Sequence, residues 1–215
     1  MDSSFDLGTT DRIVDAFTKL YACSPHRTWM NTRWLGVPIL QTPLDLWIMQ
    51  EIVYETRPAL IIETGTYKGG KALFLASICD FIGNGHIVTV DVTNVEGKPP
   101  HPRITYLLGS SISDEIVTQV KGLRKDNDRT MVLLDSDHQA DHVLSELRIY
   151  SNFVTRGCYL IVEDTGIDAL MPEFGPGPRK ALEVFLSENN KFVVDKEREK
   201  FFMTAHPNGY LRRSQ

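Results

Sequence analysis

From Ala59 onward the chain alternates short apolar runs with stretches of helical spacing, and each of five runs ends in glycine or polar residues. Few folds other than a parallel α/β sheet accommodate that alternation. The spacing predicts strands over Ala59 to Glu63, His86 to Asp91, Ile104 to Leu108, Thr130 to Asp135 and Cys158 to Glu163. Helices are expected over Gly70 to Asp80, over Ser113 to Val120 with Ser113 as N-cap, over His142 to Phe153, and over Arg179 to Ser187 after a Gly-Pro-Gly-Pro stop. Lys191 to Asp195 and Phe201 to Ala205 flank the charged Lys196-Glu-Arg-Glu-Lys200 and read as a hairpin closing one edge. The sum is a seven-stranded, mostly parallel sheet ending in an antiparallel C-terminal pair.

Before Pro58 the pattern differs. Asp11 to Tyr21 carries Ile13, Val14, Phe17, Leu20 and Tyr21 at helical spacing, residues 22 to 42 read as irregular, and a second helix is expected after Pro43 with Leu44, Trp47, Ile48 and Ile52 on its apolar face. With 215 residues there is room for one substantial domain and a remainder, so we divide the chain into an N-terminal helical extension, 1–57, and a sheet domain, 58–215. The extension is read as a cover for the ligand site. Trp29 and Trp34, with the loop from Met171 to Pro178, are candidate wall or lid, whereas Trp47 is expected to pack.

Charge narrows the partners. Lys plus Arg number 23 against 28 Asp plus Glu, a net charge of −5, the wrong sign for binding that rests on neutralising phosphates, so no nucleic-acid partner is expected. Cys23, Cys79 and Cys158 are far apart and odd in number, which leaves no disulfide framework or paired metal motif and suggests buried free thiols. MDSSFDLGTT lacks the apolar core of a leader, and no run approaches the roughly 18 residues a membrane span needs. A cytoplasmic, soluble protein is expected.

Ligands of open α/β sheets bind outside the carboxyl ends of the strands, so the residues after each strand define a site without any motif search. Glu63-Thr-Gly65-Thr66-Tyr67-Lys-Gly69-Gly70 follows the first strand; Asp91 ends the second; Gly109-Ser110-Ser111 follows the third. The glycines suit a tight turn near a ligand, but the loop lacks the GxG of a dinucleotide fingerprint. Glu63 suits the amino end of S-adenosylmethionine (SAM) and Asp91 the two hydroxyls of its ribose. A bare turn and a capping acid are the plainer alternatives.

The fourth and fifth strands end in Asp135-Ser-Asp137-His138 and Glu163-Asp164. Adjacent strands lie about 5 Å apart, so three carboxylates would meet there and repel unless a cation intervened. All-oxygen ligation with open positions suits Mg²⁺, with Asp135, Glu163 and Asp164 as ligands and Asp137 as the alternate to Asp135. Alternatively these acids cap helices or pair with Arg179 and Lys180. His138, three residues past Asp135, is placed as general base. His142 lies four residues on without the Glu of a zinc protease motif, and His26, His86, His101 and His206 read as surface or structural.

These residues carry a resemblance. Trp34-Leu-Gly-Val-Pro38, Gln41-x-Pro43-x-Asp45-Leu-Trp47, Gln50-Glu51, Ile62-Glu-Thr-Gly-Thr66 with Gly69-Gly70, Leu134-Asp-Ser-Asp-His138, Val162-Glu-Asp-Thr165, Gly175-Pro-Gly-Pro178 and Arg198-Glu-Lys-Phe201 to Gly209-Tyr-Leu211 are similar to the cephalosporin hydroxylase and rhamnosyl O-methyltransferase family. Despite its first name, that family groups SAM-dependent enzymes. The layout is also similar to macrolide-sugar O-methyltransferases and, more remotely, to catechol O-methyltransferase. The resemblance implies a class I SAM-methyltransferase, Rossmann-like fold with SAM and Mg²⁺ as cofactors. It implies that Gln41 lies where backbone groups hold the cofactor carboxylate and that Tyr67, Asp91 and Ser111 lie at cofactor contacts, with Gly65, Thr66, Gly70 and Ser110 in the same loops. Lys71 departs from it, standing where the family has Ser, which bears on the contact to the methionine carboxylate.

The expected activity is Mg²⁺-dependent methyl transfer from SAM to a hydroxyl of a small polyhydroxylated acceptor, a sugar moiety or natural product, by a homo-oligomer. The alternatives are a non-heme iron hydroxylase, which needs two His and a carboxylate on one metal; a SAM-binding partner protein without catalysis; and an NAD oxidoreductase, disfavoured by the missing GxG.

Overall fold

The computed structural model describes residues 7–215; residues 1–6 of the expected extension lie outside the described residues. Strands β3 (Leu60–Thr64), β4 (His86–Asp91), β5 (Ile104–Leu108), β6 (Thr130–Leu134) and β7 (Tyr159–Val162) are parallel and fall within about one residue of the apolar runs. With β8 (Phe192–Val194) and β9 (Tyr210–Arg213) they form one sheet in the order β5-β4-β3-β6-β7-β9-β8, with β9 antiparallel to both neighbours. Strand order reverses between β3 and β6, which opens a crevice at their carboxyl ends.

The expected partner of β8 is corrected. Residues 201–205 are not a strand; Phe202 is 72% exposed with φ of 66°. Thr204 and Ala205 instead donate to Asp45 at 2.6 and 3.0 Å, and Lys196–Glu199 is a short 3₁₀ turn. Tyr210–Arg213 then inserts between β7 and β8, so the antiparallel pair exists with a later second strand.

Successive strand residues point to opposite faces and build two cores. Leu60, Ile62, Val132 and Leu160 pack with α4 (Asp114–Leu123), α5 (Ala140–Tyr150) and α7 (Pro178–Glu188). Ile61, Met131, Leu133 and Ile161 pack with α2 (Pro43–Thr56) and α3 (Gly70–Ile82). Ser113 caps α4 as expected, accepting from Ile116 N at 3.4 Å.

In the extension, α1 (Leu7–Cys23) leaves Ile13, Phe17 and Leu20 exposed. The stretch read as irregular contains a small hairpin, β1 (Arg33–Trp34) and β2 (Val37–Pro38). Trp34 packs edge-on against Phe74 of α3, and its indole N–H donates to Ser77. Two further expectations are corrected. Trp47 is 58% exposed, because α2 turns Asp45, Ile48, Met49, Ile52 and Val53 inward, a face rotated by about one residue from the expected one. Cys23 is exposed; Cys79 and Cys158 are buried. Among the described residues no helix is long and apolar enough to cross a membrane.

Candidate functional site

The crevice between β3 and β6 is shaped by two glycines. Gly65 has φ of 88°, and a Cβ there would sit 1.8 Å from the carbonyl oxygen of Asp135, so the loops after the two central strands touch through backbone alone. Gly70 starts α3 against the backbone of Pro38, where a Cβ would lie 2.1 Å from its carbonyl oxygen. This packs β2 onto the glycine loop and brings Gln41 to the carboxylates.

On one side of the crevice lies a cavity of about 160 Å³ whose lining includes Gly65, Asp91, Gly109, Ser111, Ser136 and His142. Asp91 receives hydrogen bonds at 2.8 Å from Tyr67 N and from Thr93 N, which hold its carboxylate at the cavity wall. His142 Nε2 lies 3.2 Å from both Ser111 Oγ and Ser136 Oγ, and Ser136 donates to the buried Glu146 at 2.7 Å. The hydrogen bond and charge of Glu146 raise the His142 pKa. Thr66 is buried on Thr89 at 2.7 Å, while the Ser110 carbonyl accepts from Ser113 N and Oγ at the start of α4.

On the other side the acids converge. His138 Nε2 is 2.7 Å from Asp164 Oδ2 and 3.9 Å from Asp135 Oδ1, and ligand atoms of Asp135, His138 and Asp164 lie within 4.8 Å of one another. Burial opposes the charge on His138, but the hydrogen bond and charge of Asp164 prevail and push it up to about 9. Asp164 holds a left-handed φ of 53°, and its N–H donates to His206 Nδ1 at 3.0 Å. Asp137, the alternate ligand, accepts from Gln139 N at 2.9 Å at the head of α5 and is not in this cluster.

Glu163 and Glu63 face a different group. Lys71, 4% exposed, places its ammonium 2.5 Å from Asp135 Oδ2, 2.7 Å from Glu163 Oε1 and 3.7 Å from Glu63 Oε1. The second Glu163 oxygen accepts from Gln41 Nε2. Burial opposes the charge of Lys71, yet Asp135, Glu163 and Glu63 together raise its pKa. Burial, with Asp135 adding to it, pushes Glu163 up to about 8. Glu63 is fully buried, neither of its oxygens has a hydrogen-bond partner, and burial pushes it up to about 7. Arg179 and Lys180 do not neutralise the acids; Arg179 donates to the Thr165 carbonyl and Lys180 pairs with Glu183.

The donor set fits a hard divalent cation through the free oxygen of Asp135 and through Asp164, while Glu163 is held by Lys71 and Gln41. Sequence reasoning overlooked two groups. His206, read as surface or structural, is fully buried behind Asp164 with Nε2 3.8 Å from Asp45 and 3.9 Å from Glu163. Asp45 is also fully buried and ties α2 to Thr204, Ala205 and Tyr210. Both contacts span more than 150 residues or join unrelated loops, so no local pattern announces them.

Known proteins of this shape and sequence agree with one another. Residues 26–214 match the family model "Rhamnosyl O-methyltransferase/CmcI". A rhamnosyl O-methyltransferase of Mycobacterium tuberculosis is 34% identical over 95% of this chain and 86% of that protein, and one from Mycobacterium leprae is 34% identical over 95% and 92%. A CmcI structure with Mg and SAM superposes with a TM-score of 0.66 at 18% identity, covering 100% of this chain and 87% of that one. An O-methyltransferase from Bacillus cereus in complex with SAH reaches 0.55 at 13% identity over 89% and 84%. The fold is that of class I SAM methyltransferases, and the chain belongs to the rhamnosyl O-methyltransferase/CmcI family of O-methyltransferases.

Proposed function

We propose that the protein transfers the methyl group of SAM to a hydroxyl of a small polyhydroxylated acceptor, a sugar or sugar-bearing natural product. The observation that carries this reading is the juxtaposition, at one strand-order switch, of the Gly65–Asp91–Ser111 cavity with the Asp135–His138–Asp164 cluster. SAM fits the first part. In this reading Asp91, at the cavity wall, accepts from ribose hydroxyls, and Glu63, whose oxygens have no hydrogen-bond partner although Oε1 lies 3.7 Å from Lys71, is a buried acceptor for the amino end of SAM. Gln41, Thr66, Tyr67, Gly70 and Ser110 line or shape the surrounding loops. Mg²⁺ fits the second part, held by Asp135 and Asp164, with Glu163 as the third carboxylate if Lys71 releases it.

SAM supplies a methyl group already activated on a sulfonium, and Mg²⁺ bound at the carboxylates supplies Lewis acidity toward an acceptor oxygen. The chain's own work is then positioning, exclusion of water and removal of one proton. In this reading His138 is the proton acceptor: its Nε2 is hydrogen-bonded to Asp164 in the ligand-free chain, so it takes the hydroxyl proton once that bond opens and the ring is neutral. The loop Met171 to Pro178, exposed over its first part and tied to the head of α5 by the Ala140 N–H to Pro176 carbonyl bond, is the proposed acceptor wall, while Trp34 packs against Phe74 and Ser77 of α3. We further propose a homo-oligomer, supported by the exposed Ile13, Phe17 and Leu20 of α1.

The test is transfer of labelled methyl from SAM to a panel of rhamnosides, other glycosides and catechols. Methylated glycoside with stoichiometric S-adenosylhomocysteine is expected. Tight SAM binding without product on any hydroxylated acceptor would instead favour the inactive partner protein.

A further inference from the structure

Lys71 is the second residue of α3, and the close approach of Gly70 to the Pro38 backbone fixes where its side chain starts. From there the ammonium enters the carboxylate cluster and touches three acids, two of them at 2.5 and 2.7 Å. At 4% exposure it has no route to water that would let it leave its partners cheaply. Asp135 and Glu163 are two of the three carboxylates that would otherwise be left to a divalent ion. Each has one oxygen on Lys71, and the other oxygen of Glu163 is taken by Gln41. The cluster is therefore already neutralised in part by a cation belonging to the chain.

We propose that Lys71 is a built-in counter-cation that competes with divalent metal for Asp135 and Glu163, so that the site holds its metal weakly. A divalent ion at Asp135 sits beside a fixed positive charge and finds Glu163 engaged. Removing the ammonium frees an oxygen on each of Asp135 and Glu163 and takes away their nearest positive charge, which favours a divalent ion in its place. The inference concerns ion binding alone and needs neither SAM nor acceptor, so its failure is distinguishable from failure of methyl transfer.

The probe is Mn²⁺, which takes the same oxygen donors as Mg²⁺ and whose free concentration is read by electron paramagnetic resonance. Full-length protein without SAM is titrated as wild type, Lys71→Ser, Lys71→Met and Lys71→Arg. The expected result is a Kd at least tenfold tighter in the two neutral variants and a wild-type-like Kd in Lys71→Arg. If the neutral variants are too unstable to titrate, the rise in Tm on adding Mn²⁺ serves as the readout, and it is expected to be larger in them than in wild type. Equal or weaker Mn²⁺ binding in the neutral variants would overturn the proposal. So would tightening in Lys71→Arg to the same degree, since the effect would then not be one of charge.

Discussion

Glu63 is fully buried, and its ionisation has a thermodynamic consequence. Its folded pKa of about 7 lies above the ordinary 4.5, and that of His138, about 9, lies above 6.5. Both groups bind protons more tightly folded than unfolded. Their contribution is fully present below the unfolded values and is lost as pH rises through about 7 for Glu63 and about 9 for His138. The Tm of chelator-treated, ligand-free protein should therefore fall by several degrees between about pH 6 and pH 9. Glu63→Gln should flatten the lower half of that decline, which scanning calorimetry at fixed ionic strength would show; a decline unchanged in the variant would sink the assignment. At Gly65, φ of 88° and a virtual Cβ 1.8 Å from the Asp135 carbonyl oxygen mean that Gly65→Ala must strain backbone or part the central loops. It should cost about 1–3 kcal/mol in urea unfolding and weaken SAM binding. At this scale much was legible. Glycine before a helix and an acid at four of the five parallel strand ends follow from what a ligand-binding crevice needs. Lys71 was legible only as a departure, because its sequence position does not reveal that its ammonium reaches Asp135 and Glu163.

Among the elements, α2 shows why periodicity alone misplaces a face. Leu44, Trp47, Ile48 and Ile52 match helical spacing, yet the helix buries Asp45 and exposes Trp47. Asp45 is retained inside because Thr42, Thr204, Ala205 and Tyr210 all donate to it, and such long-range polar pairing leaves no mark on an apolar pattern. The same bonds explain the misassigned strand: residues 201–205 are drawn to Asp45, leaving Tyr210–Arg213 to pair with β7. Asp45→Ala should accordingly lower stability by about 2–4 kcal/mol, measured by urea unfolding, because it leaves several buried donors unpaired. A loss below about 0.5 kcal/mol, as at an ordinary surface position, would contradict that role. The parallel strands were easier to read. The central strands β3, β6 and β7 are buried on both faces, so their apolar runs are continuous, whereas the edge strand β5 is only half-buried.

For the whole molecule, the family and the mostly parallel seven-stranded sheet follow from the βαβ alternation and the motifs that ride on it. The behaviour of the extension does not. The stripe on α1 was periodic enough to imply a packed helix, yet Ile13, Phe17 and Leu20 are 53, 48 and 61% exposed in the single chain. If the homo-oligomer uses this face, Phe17→Asp should shift sedimentation toward monomer while leaving the far-ultraviolet circular dichroism unchanged; an unchanged oligomer would place the interface elsewhere. The central claim is that methyl transfer occurs at the Asp135–His138–Asp164 cluster with His138 as base. It is tested most directly by single-turnover transfer of labelled methyl from SAM to an accepted glycoside, comparing wild type with His138→Gln at equal SAM occupancy. A rate about 10²- to 10⁴-fold lower, with the Kd for SAM unchanged, is the predicted result, whereas an undiminished rate would contradict it.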